Sequence, residues 1–265
     1  MIVFTCDSEV TFDEGTLSSS ERNMYEKKKN SLVEYRYDSI STLLFELQMR
    51  NKIIQSSWAL STSGVFFASF KKSKCNELYW HLTEHGRFQL KNNVSPQDAI
   101  RDIFRNGNLY AFECATAIVI VLYRAILESI DPNHFDRLFS DLLLFDWHYN
   151  RKLHLIDQTN RQEAIAGDVL YFENPEFSPL LPWWKGENAI LMEDGFYYGH
   201  GHGMGIATAE DIIYVLNKYR DPGSTKSAFL TDCFVYLDFS YFSQFQSSTL
   251  EQPILAKIGS WTFVR

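Results

Sequence analysis

The sequence predicts an α+β domain in which a run of helices precedes an antiparallel sheet. Three observations carry that expectation. Apolar residues in the first half recur at roughly helical spacing, at Ile40, Leu43, Leu44, Leu47 and Ile54. The stretch Cys114-Ala115-Thr116-Ala117-Ile118-Val119-Ile120-Val121-Leu122-Tyr123 is uncharged and apolar on every side, as a buried helix is. Downstream come short β-branched and aromatic runs separated by turn residues.

Residues 7–30 are polar and rich in Ser, Glu and Lys, and are expected as a loosely held arm or a peripheral helix. The chain divides accordingly into an N-terminal arm, residues 1–35, and a single domain, residues 36–265. A helix is expected over residues 39–59, with Ser39 or Ser41 as its N-cap. After Ser63-Gly64, residues 65–70 read as a strand, and residues 78–82 and 87–90 as a hairpin around His85-Gly86. Ser95-Pro96 opens a short helix, because serine caps and proline fits the first helical position, where its missing N–H costs nothing. That helix stops at Asn106-Gly107. The Cys114 helix follows and ends before Asp131-Pro132, since proline disfavours a helical residue ahead of it. Residues 142–146, 169–172, 189–192 and 196–198 are strand candidates, the last two joined through Glu193-Asp194-Gly195. Thr208 caps a helix over residues 209–218 with Ile212, Ile213 and Leu216 inward, closed by Asp221-Pro222-Gly223; the aromatic tail to Arg265 adds further strand.

Composition narrows the function classes. With 265 residues and 45% apolar content the chain can bury a sizeable core. A net charge of −8 argues against a nucleic-acid partner, which needs clustered Lys and Arg, and the one basic cluster, Lys27-Lys28-Lys29, reads as a solvated face. The four cysteines (Cys6, Cys75, Cys114, Cys233) are far apart, form no CxxC pair and follow no secretory leader, which points to reduced thiols made in a cytosol. His200 and His202 are the one close histidine pair and lack a third ligand, so neither a metal nor another cofactor is expected. Arg124 interrupts the Cys114 run well short of a membrane span, so no membrane partner is expected.

Cys114 is the candidate nucleophile. A thiol at a helix start meets unpaired N–H groups and the positive end of the dipole, which favour the thiolate that attacks acyl carbon. The competing reading is a small buried packing residue. A thiolate nucleophile also needs a group that shuttles a proton to the leaving amine, brought from another element. Helices, then a nucleophile helix, then an antiparallel sheet describe a papain-like core of the NlpC type, and Gly167-Asp168-Val169-Leu170-Tyr171-Phe172 resembles the strand before the catalytic-histidine strand of bacterial cell-wall peptidases with that core. The following strand is Gly186-Glu187-Asn188-Ala189-Ile190-Leu191, with Glu187 where those enzymes place imidazole. Desolvation in an apolar pocket raises a carboxyl pKa, so Glu187 can act as acid and base; otherwise it is a surface residue in the turn before a strand. Glu113 adjoins the cysteine at roughly 100° around the helix. It is either an alternative base or a first-turn charge that favours the dipole. The segment Gly199-His200-Gly201-His202-Gly203 reads either as part of the site or as a loop in which glycine supplies backbone freedom.

With these residues the chain resembles the spore-coat protein-glutamine gamma-glutamyltransferases, or transglutaminases, of endospore-forming bacteria. The resemblance rests on Ala99-Ile100-Arg101-Asp102-Ile103, on Tyr110-Ala111-Phe112-Glu113-Cys114-Ala115-Thr116-Ala117-Ile118-Val119-Ile120, on Asp146-Trp147-His148-Tyr149, on Asn174-Pro175-Glu176-Phe177 and on Gly186-Glu187-Asn188, and runs from about Tyr37 to Leu216. It implies that Cys114 attacks the carboxamide of a protein-bound glutamine, that ammonia leaves an acyl-thioester, and that a lysine amine takes the acyl group as an isopeptide cross-link. Glu187 and Glu113 are then the carboxylate partners. The family's histidine falls on His200 when counted without a gap from Glu187, and on His202 by its downstream flank. By the same resemblance Phe67, Trp147 and Trp184 wall a passage that keeps water from the thioester; otherwise they fill core. The resemblance further implies protein substrates bearing glutamine and lysine, a spore-coat location after synthesis in the mother-cell cytoplasm and, with no DxDxDG pattern in the sequence, independence of calcium. A cysteine peptidase or amidase, and a non-catalytic coat assembly module on the same fold, are the competing functions.

Overall fold

A helix that is apolar on all sides must be enclosed by other elements, and the fold is arranged to do that. The computed structural model describes residues 1–5, 12–146, 150–201 and 204–247, together with the backbone of Ala256–Ile258 and Trp261–Phe263. Strands β1 (Ile2–Phe4) and β2 (Tyr35–Tyr37) pair in parallel around helix α1 (Ser19–Asn30), which Ser18 and Glu21 start with a reciprocal capping box. Helix α2 (Ile40–Ser61) begins at Ser39, whose hydroxyl accepts from the Thr42 N–H. Strand β3 (Phe66–Phe67), the hairpin β4 (Trp80–Leu82) and β5 (Phe88–Leu90), helix α3 (Pro96–Arg105) and strand β6 (Ala111–Phe112) lead to α4 (Cys114–Leu127). Every residue of α4 except Arg124 is buried.

Helix α5 (Pro132–Leu138) and strand β7 (Leu143–Leu144) precede the sheet. The sheet is built from β8 (Leu155–Gln158), β9 (Val169–Glu173), β10 (Gly186–Leu191), β11 (Phe196–Gly199), β12 (Gly205–Thr208) and, after helix α6 (Ala209–Asn217), β13 (Phe229–Leu237). Its order is β12-β11-β10-β9-β13-β8, and every neighbouring pair is antiparallel. Helix α7 (Phe239–Ser243) packs on α2, and β14 (Ala256–Ile258) pairs with β15 (Trp261–Phe263). The apolar helix α4 lies between α2 and β10, so the expected α+β layout with the nucleophile helix packed on an antiparallel sheet is what forms.

Several elements differ from the sequence expectation. Asp131-Pro132 does not merely stop α4, which ends at Leu127; it starts α5, with the Asp131 carboxylate accepting from the Asn133 and His134 N–H groups. Pre-proline restriction and proline at the first helical position are two faces of one rule, and the second one operates here. The strand expected over residues 65–70 shortens to Phe66–Phe67, because Phe70–Lys72 turns into a 3₁₀ helix. Strand β10 begins at Gly186, three residues before the expected start, which puts Glu187 inside the sheet rather than in a turn ahead of it.

Lys27-Lys28-Lys29 is a solvated face at Lys27 and Lys29 but not at Lys28. Lys28 is 2% exposed and its ammonium lies 2.7 Å from Glu46, while Lys27 Nζ donates to the Ala164 carbonyl. Glu46 also receives Arg50 Nε at 2.7 Å and the Tyr37 hydroxyl at 2.7 Å, and the other end of the Arg50 guanidinium reaches Asp168 at 2.6 Å. Two cations and two anions thus cancel inside the protein and tie α1 and α2 to the entrance of β9. Burial alone would raise the Glu46 carboxyl, but Lys28 and Arg50 hold it down at about 2.

Candidate active site

Cys114 is the first residue of α4, reached from β6 through Glu113. Glu113 is the N-cap yet makes no side-chain capping bond, so its carboxylate does not occupy the first N–H groups of the helix. The thiol is 9% exposed and borders a cleft of about 900 Å³ that Glu113, Tyr171, Trp183, Lys185 and Asn188 also line. A second cavity of about 320 Å³ is lined by Phe66, Phe67, His200, Gly201 and Met204.

Glu187 rises from β10 into the protein, 3% exposed. Its Oε1 accepts the backbone N–H of His200 at 2.7 Å and of Gly201 at 3.1 Å, and its carboxyl stands near enough to the Cys114 thiol for negative charge on one to oppose it on the other. Burial pushes this carboxyl up to about 8, against the two N–H groups that favour its anion; the Glu113 charge adds to the rise. The glycines around His200 matter here for a reason other than backbone freedom. A Cβ on Gly199 would stand 3.1 Å from Glu187 Oε1, and one on Gly201 would stand 2.7 Å from Oε2. Strand β11 and its continuation therefore leave a trough, and the acid lies in it. Gly186 is bare for a related reason, since a Cβ there would meet the Tyr171 hydroxyl oxygen at 2.2 Å.

Glu113 is partly buried beside the cleft, where burial raises its carboxyl to about 7. The Phe70 N–H, 3.4 Å from Oε1, and Lys185 act in the opposite direction. The thiol itself departs from the sequence expectation. A helix start alone favours thiolate, but burial and the nearby carboxyls of Glu187 and Glu113 push the Cys114 pKa well above the ordinary thiol range, against hydrogen bonds from the Asn188 backbone and side chain. Both shifts favour the protonated forms of Cys114 and Glu187 below about pH 8.

The His200 ring stacks on Phe112 at 4.7 Å between centroids, with Nε2 3.3 Å from the Phe66 carbonyl oxygen and Nδ1 3.5 Å from the Tyr198 hydroxyl. It is through its backbone N–H that His200 holds Glu187. Phe67 lies 6.3 Å from the same ring and lines the second cavity. Trp184 is buried and stacked on Tyr219 at 3.8 Å, while its neighbour Trp183 lines the thiol cleft. His202 and Trp147 lie outside the described residues. Among the described residues no three His, Cys, Asp or Glu side chains gather as a metal site, and no helix is long and apolar enough to cross a membrane.

Sequence reasoning passed over Asn188, whose Nδ2 donates to Cys114 Sγ at 3.5 Å. It also passed over the bare backbone of Gly199 and Gly201. The alternation of Gly with His in this segment was the one signal for the latter, since glycine in a strand often marks a close approach.

Comparison with known proteins gives one consistent outcome. The model of the protein-glutamine gamma-glutamyltransferase family matches residues 1–246. The protein-glutamine gamma-glutamyltransferase of Halalkalibacterium halodurans is 44% identical over 80% of this chain and 74% of its own length. That of Bacillus pumilus is 44% identical over 79% of this chain and 84% of its own. Among solved structures, a transglutaminase from Geobacillus stearothermophilus without its C-terminal extension superposes with a TM-score of 0.75 at 48% identity, covering 79% of this chain and 99% of that one.

Proposed function

The chain belongs to the protein-glutamine gamma-glutamyltransferase family and is a transglutaminase, and from that premise we propose that Cys114 carries the acyl group while Glu187 moves the protons. The observation behind this reading is a buried Glu187 carboxyl, fixed by the His200 and Gly201 N–H groups close enough to the Cys114 thiol to act on its charge.

The chemistry runs through a thioester. Sγ attacks the carboxamide carbon of a glutamine side chain as Glu187 takes the thiol proton. Glu187 returns that proton to the leaving nitrogen, ammonia departs, and the acyl group rests on sulfur. A lysine amine then attacks the thioester and gives its proton back through Glu187 to the sulfur, which leaves as a thiol. The product is an isopeptide bond, and the site is restored. The uncapped N–H groups at the start of α4 are the donors available to the oxyanion in both halves of the reaction.

Glu113 serves as a second proton carrier on the cleft side. His200 fixes the acid through its backbone, and its ring closes the far side against Phe112 and Phe67. The cleft at the thiol and the cavity lined by His200 and Gly201 offer separate approaches for the acyl donor and the amine. Phe67 and Trp183, which line the two cavities, shield the thioester from water, with Trp147 joining them by the family resemblance and Trp183 standing where Trp184 was expected. Spore-coat proteins are the substrates, cross-linked after synthesis of the enzyme in the mother cell, and calcium is not required.

Incubation with a glutamine-bearing peptide and a labelled primary amine, with chelator present, gives covalent incorporation that Cys114→Ala abolishes. Deamidated glutamine without cross-linked product, even in excess amine, would instead assign the site to a hydrolase.

A further inference from the structure

The sulfur of Cys114 is surrounded by groups of opposite effect. Burial and the carboxyls of Glu187 and Glu113 oppose negative charge on it. Asn188 favours that charge twice over, through its side-chain amide and through its backbone N–H. Its Nδ2 lies 3.5 Å from Sγ, and the residue is 8% exposed. Its place is set by the pairing of Asn188 with Tyr171 across β10 and β9, directly after Glu187 on the same strand.

We propose that Asn188 is a catalytic residue of acyl transfer, holding the Cys114 sulfur as thiolate both when it attacks and when the thioester expels it. The inference rests on Cys114 being the nucleophile. A neutral donor suits this task. When Glu187 takes the proton, the sulfur gains charge within a desolvated site, and a hydrogen bond to a charged atom is stronger than one between neutral groups. An N–H donor gains strength as the charge develops, so it lowers the barrier rather than the ground state. A lysine in the same position would form a fixed ion pair with Glu187 and remove the base. An aspartate would add another carboxyl that opposes the thiolate.

The test is the pH dependence of iodoacetamide alkylation, followed at the Cys114 peptide by mass spectrometry so that the other cysteines do not contribute. Wild type, Asn188→Ala and Asn188→Ser are compared, each first checked by thermal unfolding. In Asn188→Ala the alkylation profile moves to higher pH by about one unit, so the rate at neutral pH falls about tenfold or more. The kcat for amine incorporation falls by a similar factor with little change in KM, and Asn188→Ser, which keeps a hydroxyl donor, recovers part of both. Should Asn188→Ala fail to fold, Asn188→Ser against wild type carries the comparison, with a smaller shift in the same direction. Alkylation profiles that superimpose, or a loss confined to KM or to thermal stability, would overturn the role of Asn188 and leave the nucleophile untouched. Cys114→Ala tests the underlying reading separately, because persistent amine incorporation in that variant would remove the nucleophile itself.

Discussion

The carboxyl of Glu187 occupies the space that a side chain on Gly201 would fill: a Cβ there would come within 2.7 Å of Oε2. The acid is also tied to that residue's backbone N–H at 3.1 Å. A methyl group at this position has to displace the carboxyl, the Met204 side chain that would stand 2.9 Å from it, or both. Gly201→Ala is therefore expected to lower kcat for amine incorporation by about 100-fold, as displacement of a catalytic group by roughly an ångström does. Its melting temperature should move little. Steady-state kinetics beside thermal unfolding decide this, and wild-type kcat in Gly201→Ala would mean that Glu187 tolerates the shift.

The pH profile follows from which acid holds the proton. With Glu187 raised to about 8 and the thiol raised too, the pair carries the needed negative charge only as pH climbs towards that value. The rate of amine incorporation should rise with pH and level off above about 8. Glu187→Gln should lower the rate by about 10² to 10⁴ and remove that limb. Glu113→Gln acts differently. The Glu113 charge helps raise Glu187, so removing it should move the limb to lower pH while much of the activity remains. An unmoved limb in Glu113→Gln, or an unchanged rate in Glu187→Gln, would exchange the roles of the two acids.

Stability should move against activity. The Glu187 pKa is higher in the folded chain than its ordinary value of 4.5, so between that value and about 8 the folded state binds more protons than the unfolded one. The contribution is complete below the ordinary carboxyl range and is lost as pH rises through about 8. Glu113, raised to about 7, has the same sign. Unfolding in urea at a series of pH values should thus show wild type weakening between pH 5 and pH 8 more steeply than Glu187→Gln, which has no proton to lose. Parallel slopes in the two proteins would show that the carboxyl is solvated in the folded state.

How far these features can be read from sequence depends on the range over which each is encoded. Cys114 stands out because an apolar run with no charge for ten residues, preceded by a turn, has few other readings. Glu187 is located through chain order and resemblance, since it lies where a related core would carry a histidine, and its burial follows from the early start of β10. That start is hidden because Gly186-Glu187-Asn188 is polar and lacks the alternation that marks a strand. Asn188 gives no signal of its own: its partner is 74 positions away, and no spacing rule links an amide to a thiol. The glycines at 199 and 201 were visible, but their purpose is the space they leave for a side chain on another strand. The short edge strand β8, with a charge at Asp157, likewise has too weak a pattern to be found.

The buried network at Lys28 is the least legible part, because its members stand at positions 28, 46, 50 and 168 and only Glu46 and Arg50 share a helical turn. Its arrangement yields a definite stability effect. Arg50 is 2% exposed and holds Asp168 at 2.6 Å, Glu46 at 2.7 Å and the carbonyls of Ile165 and Ala166. Asp168 also accepts the Ile165 N–H, so it cannot turn towards solvent when its cation is removed. Arg50→Met keeps most of the apolar stem but strands one carboxylate and leaves Glu46 with Lys28 alone. Breaking a buried pair from one side costs about 3–5 kcal/mol, and this loss should appear as a lower denaturant midpoint with an unchanged slope. The residue that follows Asp168 opens β9, whose partner β10 carries Glu187, so the same variant should also lose activity at temperatures well below its unfolding transition. A destabilisation under about 1 kcal/mol would place these charges in contact with water, because exposed pairs have that value.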